Sequence, residues 1–195
     1  MLSAVRYARI RALNIPLLEK IRSKSVRVGV IGLGYVGLPL AVALARTGFR
    51  VTAVEVSKDR VDSINEGRSY IRDISSELLA TVVRGDEDTP RLIATTEYEA
   101  LASCDVQVIC VPTPFDRYKT PDLDFIVSAS QGVAEYITPG CLVVVQSTTY
   151  PGTTEELVYP ILEKGGLRAG VDFHLAFSPE RLDPGNERWN TENTP

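Results

Sequence analysis

The hexapeptide Gly32-Leu33-Gly34-Tyr35-Val36-Gly37 and the acid Glu55 are the residues of this chain whose spacing carries the clearest chemistry. A diffuse dianion is held most cheaply by main-chain N–H groups at the positive end of a helix, and glycines let a backbone come that close. In this reading Gly32 makes the tight turn out of a strand. Gly34 leaves space where a side chain would strike a phosphate, and Gly37 lets the following helix pack against a sheet, while Tyr35 and Val36 complete the phosphate-facing turn. Glu55 ends the apolar run Val51-Thr52-Ala53-Val54, where a carboxylate accepts from ribose hydroxyls and repels a 2'-phosphate. A Gly-x-Gly-x-x-Gly turn alone also ends strands for conformational reasons. Here it lies between a strand signal and a helix signal with an acid at the expected offset, so the residues point to a bound dinucleotide, NAD rather than NADP. Lys58 and Arg60 bear on that choice, since basic groups just past the acid either accept a phosphate or are merely solvated on a helix.

Further hydroxyls and acids follow other apolar runs. Ser147-Thr148 come directly after Leu142–Gln146, and Thr153 with Glu156 has the spacing of a capping box that would pin this loop to the next helix. Their hydroxyls suit a site beside a nicotinamide or a bound water, or equally a local cap. Glu180, between Pro179 and Arg181, is either a base that positions water or one half of a surface ion pair with Arg181. His174, the sole histidine, precedes a strand and reads as a surface or packing residue. Cys104, Cys110 and Cys141 match neither a zinc site nor a disulfide framework and read as small buried hydrophobes.

The elements that must position these groups alternate along the chain. Strand-like runs at Val26–Ile31, Val51–Val54, Leu92–Ala94, Val106–Val111, Leu142–Val145 and Phe173–Phe177 are separated by helical patterns at Val36–Thr47, Lys58–Glu66, Ser75–Arg84, Tyr98–Ala102, Leu123–Tyr136 and Thr153–Leu162. Strands apolar on both faces belong to a parallel sheet covered by helices, so the fold class expected is α/β, a doubly wound, Rossmann-like NAD-binding domain over residues 25–195. Residues 1–24, with apolar positions among arginines and a break near Pro16, read as a short helical extension before it. In such a sheet ligands gather beyond the carboxyl ends of the strands, which is where all the groups above fall.

Composition narrows the class further. The 195 residues are 44% hydrophobic and 24% charged, which suits a single globular domain with a sizeable core. A net charge of −4 without a basic stripe after residue 25 argues against a nucleic-acid partner. No stretch has the length of a membrane span and the start lacks a signal-peptide core, so a cytoplasmic location is expected.

Four motifs in order, Val28-Gly29-Val30-Ile31-Gly32-Leu33-Gly34-Tyr35-Val36-Gly37-Leu38-Pro39-Leu40-Ala41, Cys110-Val111-Pro112-Thr113-Pro114, Ser147-Thr148-Thr149-Tyr150-Pro151-Gly152-Thr153-Thr154 and Phe177-Ser178-Pro179-Glu180-Arg181, resemble the N-terminal domain of the UDP-glucose/GDP-mannose dehydrogenase family. The lead-in before the first strand and the Pro-Glu-Arg-x-Asp-Pro-Gly-Asn ending most resemble the branch acting on UDP-N-acetylhexosamines. The resemblance implies oxidation of a sugar C6 alcohol to a carboxylate, in two hydride transfers to two NAD through a thioester on an enzyme cysteine. It implies that Thr148 and Glu180 activate the water that hydrolyses the thioester, that Thr113 and Ser147 lie against the cofactor, and that Arg60 lies near the adenosine. The family's nucleophilic cysteine has a Gly-x-Cys-x-Pro context that none of the three cysteines here shares, so the chain reads as a cofactor-binding portion, inactive alone. A homodimer or larger assembly is implied for the longer enzyme. A non-catalytic NAD-binding module, or a portion of a UDP-glucose or GDP-mannose dehydrogenase, remains open at this point. A hydroxyacyl-CoA-type dehydrogenase is disfavoured by the last two motifs.

Overall fold

In the computed structural model, residues 16–85, 90–115, 117–118 and 121–180 are described. Most of the arginine-rich lead-in, 1–15, and the Arg181–Asn186 part of the last motif lie outside them, as does any ion pair of Glu180 with Arg181. Six strands, β1 (Arg27–Ile31), β2 (Arg50–Val54), β3 (Leu92–Thr95), β4 (Val106–Ile109), β5 (Leu142–Val145) and β6 (His174–Phe177), form one sheet in the order β3-β2-β1-β4-β5-β6. Every pairing is parallel, so all six carboxyl ends share one edge. The order reverses between β1 and β4, and a crevice opens there.

Apolar residues on both faces of the strands make this arrangement necessary. Val28 and Val30 of β1, with Val51 and Ala53 of β2, join one core with α2 (Gly37–Arg46), α3 (Lys58–Asn65) and α4 (Ser76–Arg84). Ile31, Val54, Ile109, Val143 and Val145 join the opposite core with α5 (Asp124–Ala134) and α6 (Tyr159–Leu162). Leu38, Ile64, Leu79, Ile126 and Leu162 are wholly buried, each worth about 1.5–3 kcal/mol relative to exposure. The helical stretch 16–22, here α1, docks on the first core through Leu17, and Lys20 pairs with Asp105 at 2.5 Å. On the edge strand β3, Asn65 engages both the N–H and the C=O of Ala94 at 2.9 Å, occupying one of the edge's open ladder positions.

Local departures from the sequence reading have identifiable causes. Tyr98–Ser103 is a 3-10 helix rather than an α-helix. The expected helix over Thr153–Leu162 begins as a π-helix at Thr154–Val158, where the Tyr159 amide donates to the Thr154 carbonyl five residues back. Pro160 has no N–H and its ring crowds the carbonyl four residues earlier, so the ladder widens before α6 begins. The expected capping box is absent for a separate reason: the Gly152 carbonyl already accepts the Glu155 and Glu156 amides, so Thr153 is itself helical, and its hydroxyl donates to the Tyr150 carbonyl at 2.8 Å instead of accepting an amide. His174 opens β6, opposite Leu142, and its Nε2 is buried without a partner among the described residues.

Candidate functional site

The glycine turn closes the first strand as the spacing requires. Gly32 takes φ +88°, a conformation costly to any residue with a side chain, while its amide donates to the Val54 carbonyl at 2.9 Å. Leu33 is wholly buried, and the chain then enters α2 at Gly37 with Val36 as its N-cap. Val36 has no side chain able to cap, and no acid stands in the first turn of this ten-residue helix. Its positive end therefore borders the crevice with no side-chain cap and no acid of its own first turn.

Each glycine has its own reason. A Cβ on Gly37 would lie 1.8 Å from the Gly32 carbonyl oxygen and 3.2 Å from the Cys110 Cβ, so this glycine serves the closure of the turn on itself as well as the packing of α2 on the sheet. Gly34 differs from every other described glycine. Its φ is not in the left-handed region, so its backbone does not demand glycine, and a Cβ there would meet no protein atom within 4 Å. The remaining glycines outside that region, 29, 37, 132 and 165, would each place a Cβ within 2.5 Å of a neighbour. No protein atom thus requires a glycine at position 34, and the open space there has room for an anion resting on the turn.

Glu55 lies one residue past β2 and is 6% exposed. Its Oε2 accepts the Leu33 amide at 3.1 Å and its Oε1 accepts the Ser57 amide at 3.1 Å, which ties the end of β2 to the glycine turn. A carboxylate offers about four acceptor positions, so two amides leave room for ribose hydroxyls. Arg60 stands 3.5 Å from Oε2, and Lys58 pairs instead with Asp62 on its own helix at 2.6 Å.

A cavity of about 820 Å³ runs over these groups. It is lined by Gly32, Gly34, Tyr35, Val36, Glu55 and Arg60 at one end, and by Thr113, Ser147, Thr148 and Glu180 at the other. Of the eleven residues that the sequence assigns to the cofactor or to the activated water, ten border this one space, and Gly37 packs beside Gly32 and Cys110, which also line it. Ser147 is buried, and its hydroxyl donates to the Val111 carbonyl at 2.8 Å, fastening the end of β5 to the loop that carries Thr113. Thr148 is exposed toward the opening.

Gln146, Tyr70 and Tyr98 are among the lining residues that the sequence did not single out. Gln146 donates through Nε2 to Glu180 Oε2 at 2.5 Å, orienting the carboxylate across the end of the sheet. Tyr70 donates to the Leu33 carbonyl at 2.7 Å, and burial first, then the nearby Glu55 charge, push its phenol up to about 12. Tyr98 faces the same cavity, its phenol also raised by burial and by Glu55. Gln146 immediately precedes the Ser147-Thr148 motif, which was the one signal available for it. Tyr70 lies in a segment without periodicity, and Tyr98 opens the helical pattern Tyr98–Ala102 with no site signal of its own.

The cysteines are buried and free. Burial raises the Cys104 thiol, and burial foremost pushes Cys110 and Cys141 up to about 12, with the Glu180 charge adding to the effect on Cys110. None is a ready nucleophile at neutral pH. Among the described residues there is no cluster of metal-binding side chains and no helix long and apolar enough to cross a membrane.

Comparison with known proteins agrees with this geometry. Residues 26–195 match the UDP-glucose/GDP-mannose dehydrogenase family, NAD binding domain. The chain is 36% identical over 165 residues to the UDP-N-acetyl-D-glucosamine 6-dehydrogenase of Pseudomonas aeruginosa, covering 84% of this chain and 37% of that one. It is 37% identical over 162 residues to the UDP-N-acetyl-D-mannosamine dehydrogenase of Pyrococcus horikoshii, covering 82% and 37%. A ternary complex of the GDP-mannose dehydrogenase from Pseudomonas aeruginosa superposes with a TM-score of 0.75 at 36% identity, covering 81% of this chain and 37% of that one. The chain thus spans under two-fifths of the length of these relatives.

Proposed function

This chain belongs to the UDP-glucose/GDP-mannose dehydrogenase family, and on that premise we propose that it is the NAD-binding portion of a nucleotide-sugar 6-dehydrogenase. The reaction proposed for the whole enzyme is oxidation of the C6 alcohol of a UDP-N-acetylhexosamine to the uronate, with two NAD, in the synthesis of polysaccharide precursors. Relatives named for UDP-N-acetyl-D-glucosamine and UDP-N-acetyl-D-mannosamine support that substrate class. A homodimer or larger assembly is proposed for it.

The bare space above Gly34, at the uncapped end of α2, is the observation that carries the cofactor assignment. When bound, NAD supplies the hydride acceptor. The chain's own residues then divide the work. The turn at 32–37 holds the pyrophosphate with main-chain amides, and Glu55 takes the adenosine ribose with the charge that disfavours a 2'-phosphate. Thr113 and Ser147 border the nicotinamide end. Glu180, oriented by Gln146, and Thr148 beside it hold a water for hydrolysis, with Glu180 as the proton acceptor. Cys104, Cys110 and Cys141 take no part, because each is buried and has its thiolate disfavoured.

Calorimetric titration of the 195-residue chain with NAD, together with an NADH assay using UDP-N-acetylglucosamine, tests both halves of the proposal. Saturable NAD binding without NADH formation is expected. No heat of binding would overturn the cofactor assignment, and NADH formation would overturn the placement of the nucleophile outside these residues.

A further inference from the structure

Four side-chain and main-chain contacts form a closed ring at the adenosine end of the cavity. The Leu33 amide donates to Glu55 Oε2 at 3.1 Å, and Glu55 Oε2 faces Arg60 Nη1 at 3.5 Å. The Arg60 guanidinium carbon lies 5.2 Å from the centroid of the Tyr70 ring, and the Tyr70 hydroxyl returns to the Leu33 carbonyl at 2.7 Å. All four residues border the cavity. The ring therefore begins at the N–H and ends at the C=O of Leu33, the residue between Gly32 and Gly34 in the turn.

Its consequence concerns charge. Arg60 is half exposed in the first turn of α3, the cation closest to Glu55, and a free guanidinium there is well suited to a bidentate grip on phosphate. Two contacts hold it otherwise, the Glu55 carboxylate and the face of Tyr70. Lys58, the other candidate cation, is committed to Asp62 and does not border the cavity. We propose that Tyr70 is a specificity-determining positioning residue: its hydroxyl fixes the ring to the Leu33 carbonyl, and its ring parks Arg60 against Glu55, so that no free guanidinium meets a phosphate on the ribose 2' position. Preference for NAD over NADP then rests on the Tyr70–Arg60 pair as well as on Glu55. This inference depends on the NAD assignment above.

The test is the ratio of NADP to NAD dissociation constants, measured by calorimetry on the 195-residue chain and its variants, with a thermal melt of each. Tyr70→Leu frees Arg60, and the preference for NAD is expected to shrink about fivefold, the scale of a lost cation–π contact. Tyr70→Phe keeps the ring, so the ratio should stay within about twofold while NAD affinity falls with the lost hydroxyl contact. Arg60→Ala added to Tyr70→Leu should restore the native preference. An unchanged ratio in a folded Tyr70→Leu would overturn the inference, because a purely structural tyrosine weakens both cofactors alike. Arg60→Ala alone decides the matter if Tyr70→Leu does not melt as a folded protein. A ratio within about twofold of native supports a parked guanidinium, and a fivefold loss of NADP affinity shows one already gripping the phosphate. Failure of the unmodified chain to bind NAD removes the cofactor assignment itself. An altered outcome in the variants alone removes only the role of Tyr70.

Discussion

The Gly32 carbonyl oxygen stands 1.8 Å from the position that a Cβ on Gly37 would occupy, whereas a Cβ on Gly34, between them, would meet nothing within 4 Å. The fold requires Gly37, and the proposed pyrophosphate site accounts for Gly34. The two substitutions should therefore fail differently. Gly37→Ala should cost about 1–3 kcal/mol of stability in chemical denaturation, as overpacking does. Gly34→Val should leave the unfolding midpoint nearly unchanged and weaken NAD by about a hundredfold or more, through a few kcal/mol of clash with the pyrophosphate. Equal losses of stability in both variants would contradict this division.

Glu55→Ala removes the acceptor of the Leu33 and Ser57 amides as well as the proposed ribose partner. NAD affinity should fall and discrimination against NADP should relax, with about 1–3 kcal/mol of stability lost from amides left unsatisfied. Titrations with both nucleotides, beside a denaturant curve, measure the three effects together. An unaltered preference for NAD would take Glu55 out of the ribose site.

Much of this site was legible because its parts are local. The six strands and the glycine turn announce themselves by apolar runs and by three glycines in a fixed rhythm, and a parallel sheet then delivers every strand end to one edge. Tyr70 and Gln146 were not legible for the opposite reason. Tyr70 reaches Leu33 across 37 positions and Gln146 reaches Glu180 across 34, so their partners are fixed by the order of strands and not by spacing. The Thr153–Glu156 capping signature misled because the helix starts one residue earlier, with the Gly152 carbonyl accepting the Glu155 and Glu156 amides.

Separate ends of the cavity should respond separately. Glu180→Gln and Gln146→Leu alter the end of the cavity proposed to hold the water, and NAD affinity should stay within about threefold of native in each. Calorimetry on the two variants is sufficient. A loss as large as that of Gly34→Val would place Glu180 against the cofactor rather than a water.

The docking of α1 should depend on pH through Asp105. Burial raises its pKa, but the Lys20 ammonium, the Arg27 amide and their charges outweigh burial and hold the carboxyl below its ordinary 3.8. A carboxylate whose folded pKa is depressed contributes stability that is present above 3.8 and is lost as pH falls through the lower folded value. Asp105→Asn should therefore cost about 1–2 kcal/mol at neutral pH, and the gap from the native chain should close below pH 3.8. Denaturant midpoints at a series of pH values would show the convergence, and a gap that persists in acid would contradict it.

Thiol chemistry offers an independent check on the cysteines. With all three buried and free, iodoacetamide should label none of them at neutral pH in the folded chain and all three in denaturant. Mass spectrometry reads the outcome. Rapid labelling of Cys110, the one that borders the cavity, would reopen the question of a nucleophile within this domain.

The most direct measurement is a crystal structure of the chain grown with NAD. The pyrophosphate is expected over residues 32–37 with its oxygens in the space above Gly34, and the adenosine ribose hydroxyls on Glu55. Cofactor density elsewhere on the sheet, or a turn filled by protein side chains with no nucleotide bound, would contradict it.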